Sequence, residues 1–127
     1  IASSIYFSSL LPILLFLVPK FFATFNGIWG LTQHMGLQEN TKDHRLSTRS
    51  VRLNPVFSFI YWKMEYHIEH HMFPMVPSYN LPKLYEIIKD QLPEPQTLYS
   101  AYKDIIPAVI KKSKNPDYYI PVQVPNN

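Results

Sequence analysis

Three of the chain's five histidines, His67, His70 and His71, fall within five residues of one another in the run Tyr66-His67-Ile68-Glu69-His70-His71-Met72-Phe73-Pro74. Wound as a helix at about 100° per residue, positions i, i+3 and i+4 share one face and present three imidazoles there. Neutral imidazole ligates iron, zinc, copper or nickel through its unprotonated ring nitrogen. Three imidazoles packed together without a cation would oppose one another's protonation and would each need a separate hydrogen-bond partner. The cluster therefore makes most chemical sense around a metal; a solvated set of surface histidines is the plainer alternative.

The metal chemistry can be narrowed from the residues alone. Zinc peptidase motifs of the H-E-x-x-H and H-x-x-E-H types place a glutamate beside a ligand at fixed spacing. Glu69 follows His67 by two positions and directly precedes His70, one position off either pattern. The chain has no cysteine, which excludes thiolate zinc, iron–sulfur and cysteine-nucleophile sites. What is left is an all-nitrogen site, or one of nitrogen and carboxylate. Glu65 and Glu69 flank the histidines and Asn54 opens the helix that leads to them, so all three are candidates to support ligand imidazoles without touching the metal. For the glutamates, a solvated helix carboxylate is an equal alternative.

The string from Tyr66 through Met75-Val76-Pro77 closely resembles the third histidine box of the membrane fatty acid desaturases, which are integral membrane, non-haem di-iron enzymes. The resemblance extends upstream through Gln33-His34-Met35-Gly36-Leu37, Asp43-His44-Arg45, Thr48-Arg49 and Asn54-Pro55, and downstream to Leu81-Pro82-Lys83-Leu84. It covers roughly residues 10 to 92. It implies His67, His70 and His71 as iron ligands. His34, 33 residues ahead of His67, matches an extra metal-proximal histidine of such proteins and is implied as a ligand, or as a residue acting through bound water. His44, between Asp43 and Arg45, reads as exposed or ion-paired.

By the same resemblance, histidine-bound di-iron would use O2 to remove hydrogen from an unactivated acyl C–H bond, and loss of a second hydrogen would give an alkene. The partners implied are a fatty acyl substrate (acyl-CoA, acyl carrier protein or lipid-linked), a lipid bilayer, and a separate electron donor such as a ferredoxin, rubredoxin or cytochrome b5, since no fused His-Pro-Gly-Gly haem motif occurs. A related alkane, sterol or carotenoid hydroxylase, or a non-catalytic membrane-anchored metal-binding module, are the alternatives. By the resemblance, the family's full iron shell draws on two further boxes, an H-x-x-x-H and a second H-x-x-H-H, which these residues do not carry besides the one at His67–His71. The chain opens on Ile1 and reads like the C-terminal part of a longer enzyme whose other boxes precede it, so alone it is expected to be incomplete and inactive.

The elements that must position these residues follow from the patterning. Ile1 to Val18 is apolar and would reach about 27 Å as a helix, close to a hydrocarbon core, so residues 1–20 are expected to be the last transmembrane span, ending at Pro19-Lys20. A lysine is costly in mid-bilayer and tolerable at the interface. Phe21 to Leu31, with Phe21, Phe22, Phe25 and Trp29, suits an interfacial helix that delivers Gln33 and His34 to the surface. The polar loop of Glu39 to Leu53 carries Lys42, Arg45, Arg49 and Arg52 against Glu39 and Asp43. That basic excess near a span end predicts a cytoplasmic metal face, in a bacterial inner membrane or the endoplasmic reticulum.

Asn54-Pro55 has the form of a helix start, and one helix is expected from Val56 to Met72. Leu81, Leu84, Ile87 or Ile88, and Leu92 recur at helical spacing, predicting an amphipathic cap that completes a unit over residues 54–92. Thr97 can cap a last helix to about Lys112, kinked at Pro107 and ending in Lys111, Lys112 and Lys114; residues 93–114 form this unit. Residues 115–127 are expected to be extended or disordered. The fold class predicted is all-α, integral to a membrane. The net charge of +3 is small and scattered among apolar stretches, which argues against a nucleic-acid groove.

Overall fold

The structure, a computed structural model, describes residues 5–6 and 8–125. The expected start of the span at Ile1–Ser4, and Phe7, lie outside the described residues. A π-helical turn at Ile13–Leu17 runs without interruption into helix α1, Val18–His34. The break expected at Pro19-Lys20 does not occur. Pro19 falls in the first turn of α1, where a missing N–H is least costly, and the wider π turn lies immediately before it. The segments read as a span and a separate interfacial helix are thus one helical rod, Ile13–His34, long and apolar enough to cross a membrane. Leu14, Leu15, Phe16, Leu17 and Phe21 on this rod are exposed.

Beyond α1 the chain folds back on the end of the rod. Helix α2, His44–Ser47, is short and is capped by Asp43, whose side chain accepts from the Arg45 N–H at 3.0 Å. The Arg45 guanidinium also pairs with Asp43 at 2.8 Å and holds that carboxyl below its ordinary range. Strand β1, Val51–Arg52, then pairs in parallel with β2, Gln96–Thr97, in the register Val51 with Gln96 and Arg52 with Thr97. This small ladder departs from the all-α expectation: the fold is mostly helical. Proline on both sides of Glu94 keeps the backbone extended before β2, and the Gln96 N–H donates to the Ser50 carbonyl at 3.0 Å.

Helix α3, Pro55–Ile60, starts as its sequence predicts, with the Asn54 side chain accepting from the Phe57 N–H at 3.0 Å. The single helix expected from Val56 to Met72 is not formed. Trp62 and Lys63 adopt φ of 57° and 61°, left-handed values that end α3, and helix α4 begins only at His67 and runs to Met72. Side-chain bonds cluster at the break. Lys63 Nζ donates to Ser58 Oγ at 3.0 Å, and Ser58 Oγ donates to the buried Glu65 carboxylate. Tyr61 packs with its ring centroid 5.2 Å from that of Trp29, and Phe57 at 5.3 Å, so α3 is fastened to α1.

Helix α5, Leu81–Ile88, buries Leu81 completely and leaves Ile87 exposed, so the inward stripe runs through Leu81, Leu84, Ile88 and the buried Leu92. Helix α6, Leu98–Lys114, is capped by Thr97 and passes through Pro107. Its Ala101 and Ile105 pack with Val51 in the core, joined by Leu53 and Leu98. Tyr102 Oη donates to the Ile28 carbonyl at 2.6 Å, tying α6 to α1. Lys112 pairs with Glu39 across the chain and Lys111 lies 5.1 Å over the Tyr118 ring.

The tail after α6 carries no helix through residue 125, and part of it is docked. The Ile120 N–H donates to the Gly36 carbonyl at 2.7 Å. Gly36 sits at φ +80°, and a Cβ there would come within 2.9 Å of Ile120 Cδ1 and 3.3 Å of Ala108 Cβ. The left-handed backbone disfavours any side chain, and a Cβ would crowd Ile120 and Ala108. Gly36→Ala is expected to destabilise the fold by about 1–3 kcal/mol, read as a lower unfolding midpoint; an unchanged midpoint would show that this contact does not hold the tail.

Candidate metal centre

His34 is the last residue of α1, and three bonds fix where it points. The Arg49 N–H donates to the Gln33 carbonyl at 2.8 Å, Gln33 Nε2 donates to the Met64 carbonyl at 2.7 Å, and the buried Arg49 guanidinium donates to the Thr32 carbonyl. A guanidinium at a helix C-terminus satisfies carbonyls the helix leaves open and suits the dipole. The end of α1 is thereby clamped to the 48–50 segment and to the turn that precedes α4. His67 and His71 stand one turn apart on α4, which faces that end.

The result is a convergence of three Nε2 atoms. His34 Nε2 lies 2.8 Å from His67 Nε2, and His71 Nε2 lies 3.1 Å from the same atom. Nitrogens bound to one ion at about 2.0–2.1 Å stand roughly 2.8–3.4 Å apart for angles between a right angle and the tetrahedral value. The His34, His67 and His71 cluster can therefore ligate a metal ion.

Proton bookkeeping points the same way. His34 Nδ1 lies 3.1 Å from the Ser47 carbonyl, which can only accept, so Nδ1 carries the hydrogen and a neutral His34 presents a lone pair at Nε2. Without a cation, the one hydrogen that His67 can carry at Nε2 would have to serve both of its short contacts. A metal replaces that conflict with three lone pairs on one acceptor. His67 is suited to the part because it stays neutral. Burial, then the neighbouring His34, His71 and His70, push its pKa down to about 3, and burial followed by His34, His44 and His70 lowers that of His71.

The sign of the pH effect follows. Unfolded His67 titrates near its ordinary 6.5, so below that pH the unfolded chain takes up a proton the fold refuses. The metal-free protein is expected to keep its full stability from this group above pH 6.5 and to lose it steadily as pH falls toward 3. Thermal unfolding across that range checks it: a midpoint independent of pH would mean that His67 is solvated.

The other candidate residues are placed as follows. His70 shares α4, but its ring centroid lies 6.0 Å from that of His67 and 5.8 Å from that of His71, and its nitrogens are not among the three that converge. His44, read from sequence as exposed or ion-paired, instead brings its ring to 5.3 Å from His71, while Asp43 pairs with Arg45. No local signal marked it, because the contact depends on α2 folding over α4.

Neither glutamate is a solvated helix carboxylate. Glu69 is fully buried, with Oε2 accepting from Ser50 Oγ at 2.9 Å, and Oε1 has no partner among the described residues. The same Ser50 Oγ accepts from the Ile68 N–H at 3.2 Å, so one hydroxyl holds both the first turn of α4 and its buried carboxylate. Glu65 is 6% exposed. Asn54 serves as the cap of α3, away from the convergence. His67 Nδ1 is buried and has no partner among the described residues.

The family model described as fatty acid desaturase matches residues 1–103. Comparison with curated proteins and with solved structures returns no match.

Proposed function

The chain belongs to the fatty acid desaturase family, and from that premise we propose that it is the C-terminal part of a membrane acyl desaturase. The observation that carries this reading is the convergence of His34, His67 and His71 through three Nε2 atoms at the end of an apolar helical rod. The substrate is a fatty acyl chain. His34, His67 and His71 hold iron, with His70 as a further ligand on the same helix, and boxes outside these residues complete a di-iron shell. Iron, when bound, supplies activation of O2 and the oxidising power to remove two hydrogens from neighbouring methylenes.

The residues of this chain do the positioning. Ser47 fixes the His34 ring through Nδ1 and leaves Nε2 free to ligate. Burial keeps His67 neutral at physiological pH, so its lone pair is not lost to a proton. Ser50 and Glu69 lock the first turn of α4, which carries His67 and His71. Electrons come from a separate ferredoxin, rubredoxin or cytochrome, and the histidines face the cytoplasmic side, where the basic residues of 42–52 lie.

Iron content and acyl products of the full-length protein test the proposal together. Bound iron and an alkene product that both disappear in His67→Ala are the expected result. A hydroxylated product without alkene would assign the related hydroxylase chemistry. Stoichiometric zinc with no change in lipid unsaturation would assign a structural metal module.

A further inference from the structure

We propose that the cavity between β1, α5 and the start of α4 binds an organic zwitterion, an ammonium group carried together with a phosphate or carboxylate. The cavity has a volume of about 230 Å³ and is lined by Glu65, Tyr66, Tyr85, Glu86 and Arg52 among others. No part of it belongs to the three converging histidines.

Its walls have the chemistry of a cation cage. The Tyr66 and Tyr85 rings have centroids 5.8 Å apart and are inclined at 58°, so they form two aromatic walls set at an angle. Glu65, 94% buried by its 6% exposure, uses Oε1 to accept from Ser58 Oγ, and its Oε2 has no partner among the described residues. Lys63 Nζ bonds the Ser58 hydroxyl at 3.0 Å and makes no direct ion pair with Glu65 among the described residues. Glu86 is held by Lys89 at 2.7 Å in an exposed pair, which a ligand can exchange at little cost. Aromatic faces combined with carboxylates attract alkylammonium groups, which carry their charge over a bulky, weakly hydrated surface. Among the described residues the side chains grouped closely enough to hold a metal ion are His34, His67 and His71, not those of this cavity.

Arg52 supplies a charge of the opposite sign. It is exposed, lines the same cavity and has no ion pair among the described residues. A guanidinium takes phosphate or carboxylate through paired N–H groups. The lining therefore matches a zwitterion better than a simple cation. Two sources carry such a group, a phospholipid headgroup or a soluble metabolite. Only the headgroup alternative, in which the cavity selects a lipid-linked acyl substrate, rests on the desaturase reading.

The test is calorimetric titration of phosphocholine into the full-length protein, purified in a detergent without an ammonium group. Saturable binding is expected, weakened about tenfold by Glu65→Gln or Tyr85→Leu, with iron content unchanged in Tyr85→Leu. Arg52→Met should weaken phosphocholine binding and leave tetramethylammonium binding as it was. Should Glu65→Gln fail to fold, Tyr85→Leu decides, since Tyr85 lies on α5 and away from the histidines.

Reconstitution separates the sources. If nanodiscs of phosphatidylcholine block the titration and those of phosphatidylglycerol do not, the ligand is a lipid headgroup; if neither blocks it, the ligand is a soluble zwitterion. Absence of saturable binding, or binding unchanged in all three variants, overturns the site. Intact phosphocholine binding in a protein that holds no iron and forms no alkene would instead sink the desaturase reading and leave this site standing.

Discussion

Replacing His67 with alanine is expected to reduce metal affinity by more than about a hundredfold and to remove activity with it. Loss of a residue that merely supports a ligand costs about 10–100-fold, and His67 is the one imidazole whose Nε2 touches both others, at 2.8 and 3.1 Å. Metal content after dialysis against a weak chelator measures the effect. His44→Ala supplies the contrast, because the His44 ring approaches His71 from the side and is outside the convergence. It should lose far less metal than His67→Ala. Equal losses in the two variants would mean that the site is centred elsewhere among the histidines.

The second large effect is expected from a residue that touches no metal. Ser50→Ala removes the hydroxyl that donates to Glu69 Oε2 at 2.9 Å and accepts from the Ile68 N–H at 3.2 Å. Both partners are buried, and Glu69 would lose the one side-chain bond its carboxylate has among the described residues. A buried polar group stripped of its partner costs about 1–3 kcal/mol, and more when charged. The first turn of α4 would loosen, so metal affinity should fall along with stability. Ser50→Thr, which keeps the hydroxyl, should restore part of both. A stable variant with normal metal content would show that α4 is held by its packing and not by this serine.

Much of this centre could be read from the chain because its chemistry is local. His67 and His71 are one helical turn apart, and any helix through them brings the two imidazoles to one side. His34 was legible only through its neighbours Gln33, Met35 and Gly36, since a single histidine distant from the box carries no periodic signal. His70 was expected in the same group by spacing, yet ring positions on a six-residue helix depend on what faces it, and the end of α1 approaches from the side of His67 and His71. His44 was unreadable for the same reason, its contact being set by tertiary folding.

The elements show a similar division. Asn54-Pro55 and Thr97 announced their helices because capping is a local hydrogen bond. The break at Trp62 and Lys63 was hidden. Residues 56–62 are apolar except for Ser58 and fit a helix, and what favours the left-handed turn is a buried cluster of Ser58, Lys63 and Glu65 that exists only in the folded chain. Pro19 misled in the opposite direction. It suggested a boundary, whereas in the first turn of α1 it is accommodated and the rod continues to His34. The parallel pairing of β1 with β2 joins residues 45 positions apart and has no local signature.

The proposed centre has one metal ion shared by His34, His67 and His71. An anomalous difference map collected at the iron edge from crystals of the iron-loaded full-length protein tests it most directly. A peak within about 2.2 Å of all three Nε2 atoms is the expected result. A peak liganded by His70 and His44 with His34 left outside, or no peak between α1 and α4, would contradict it.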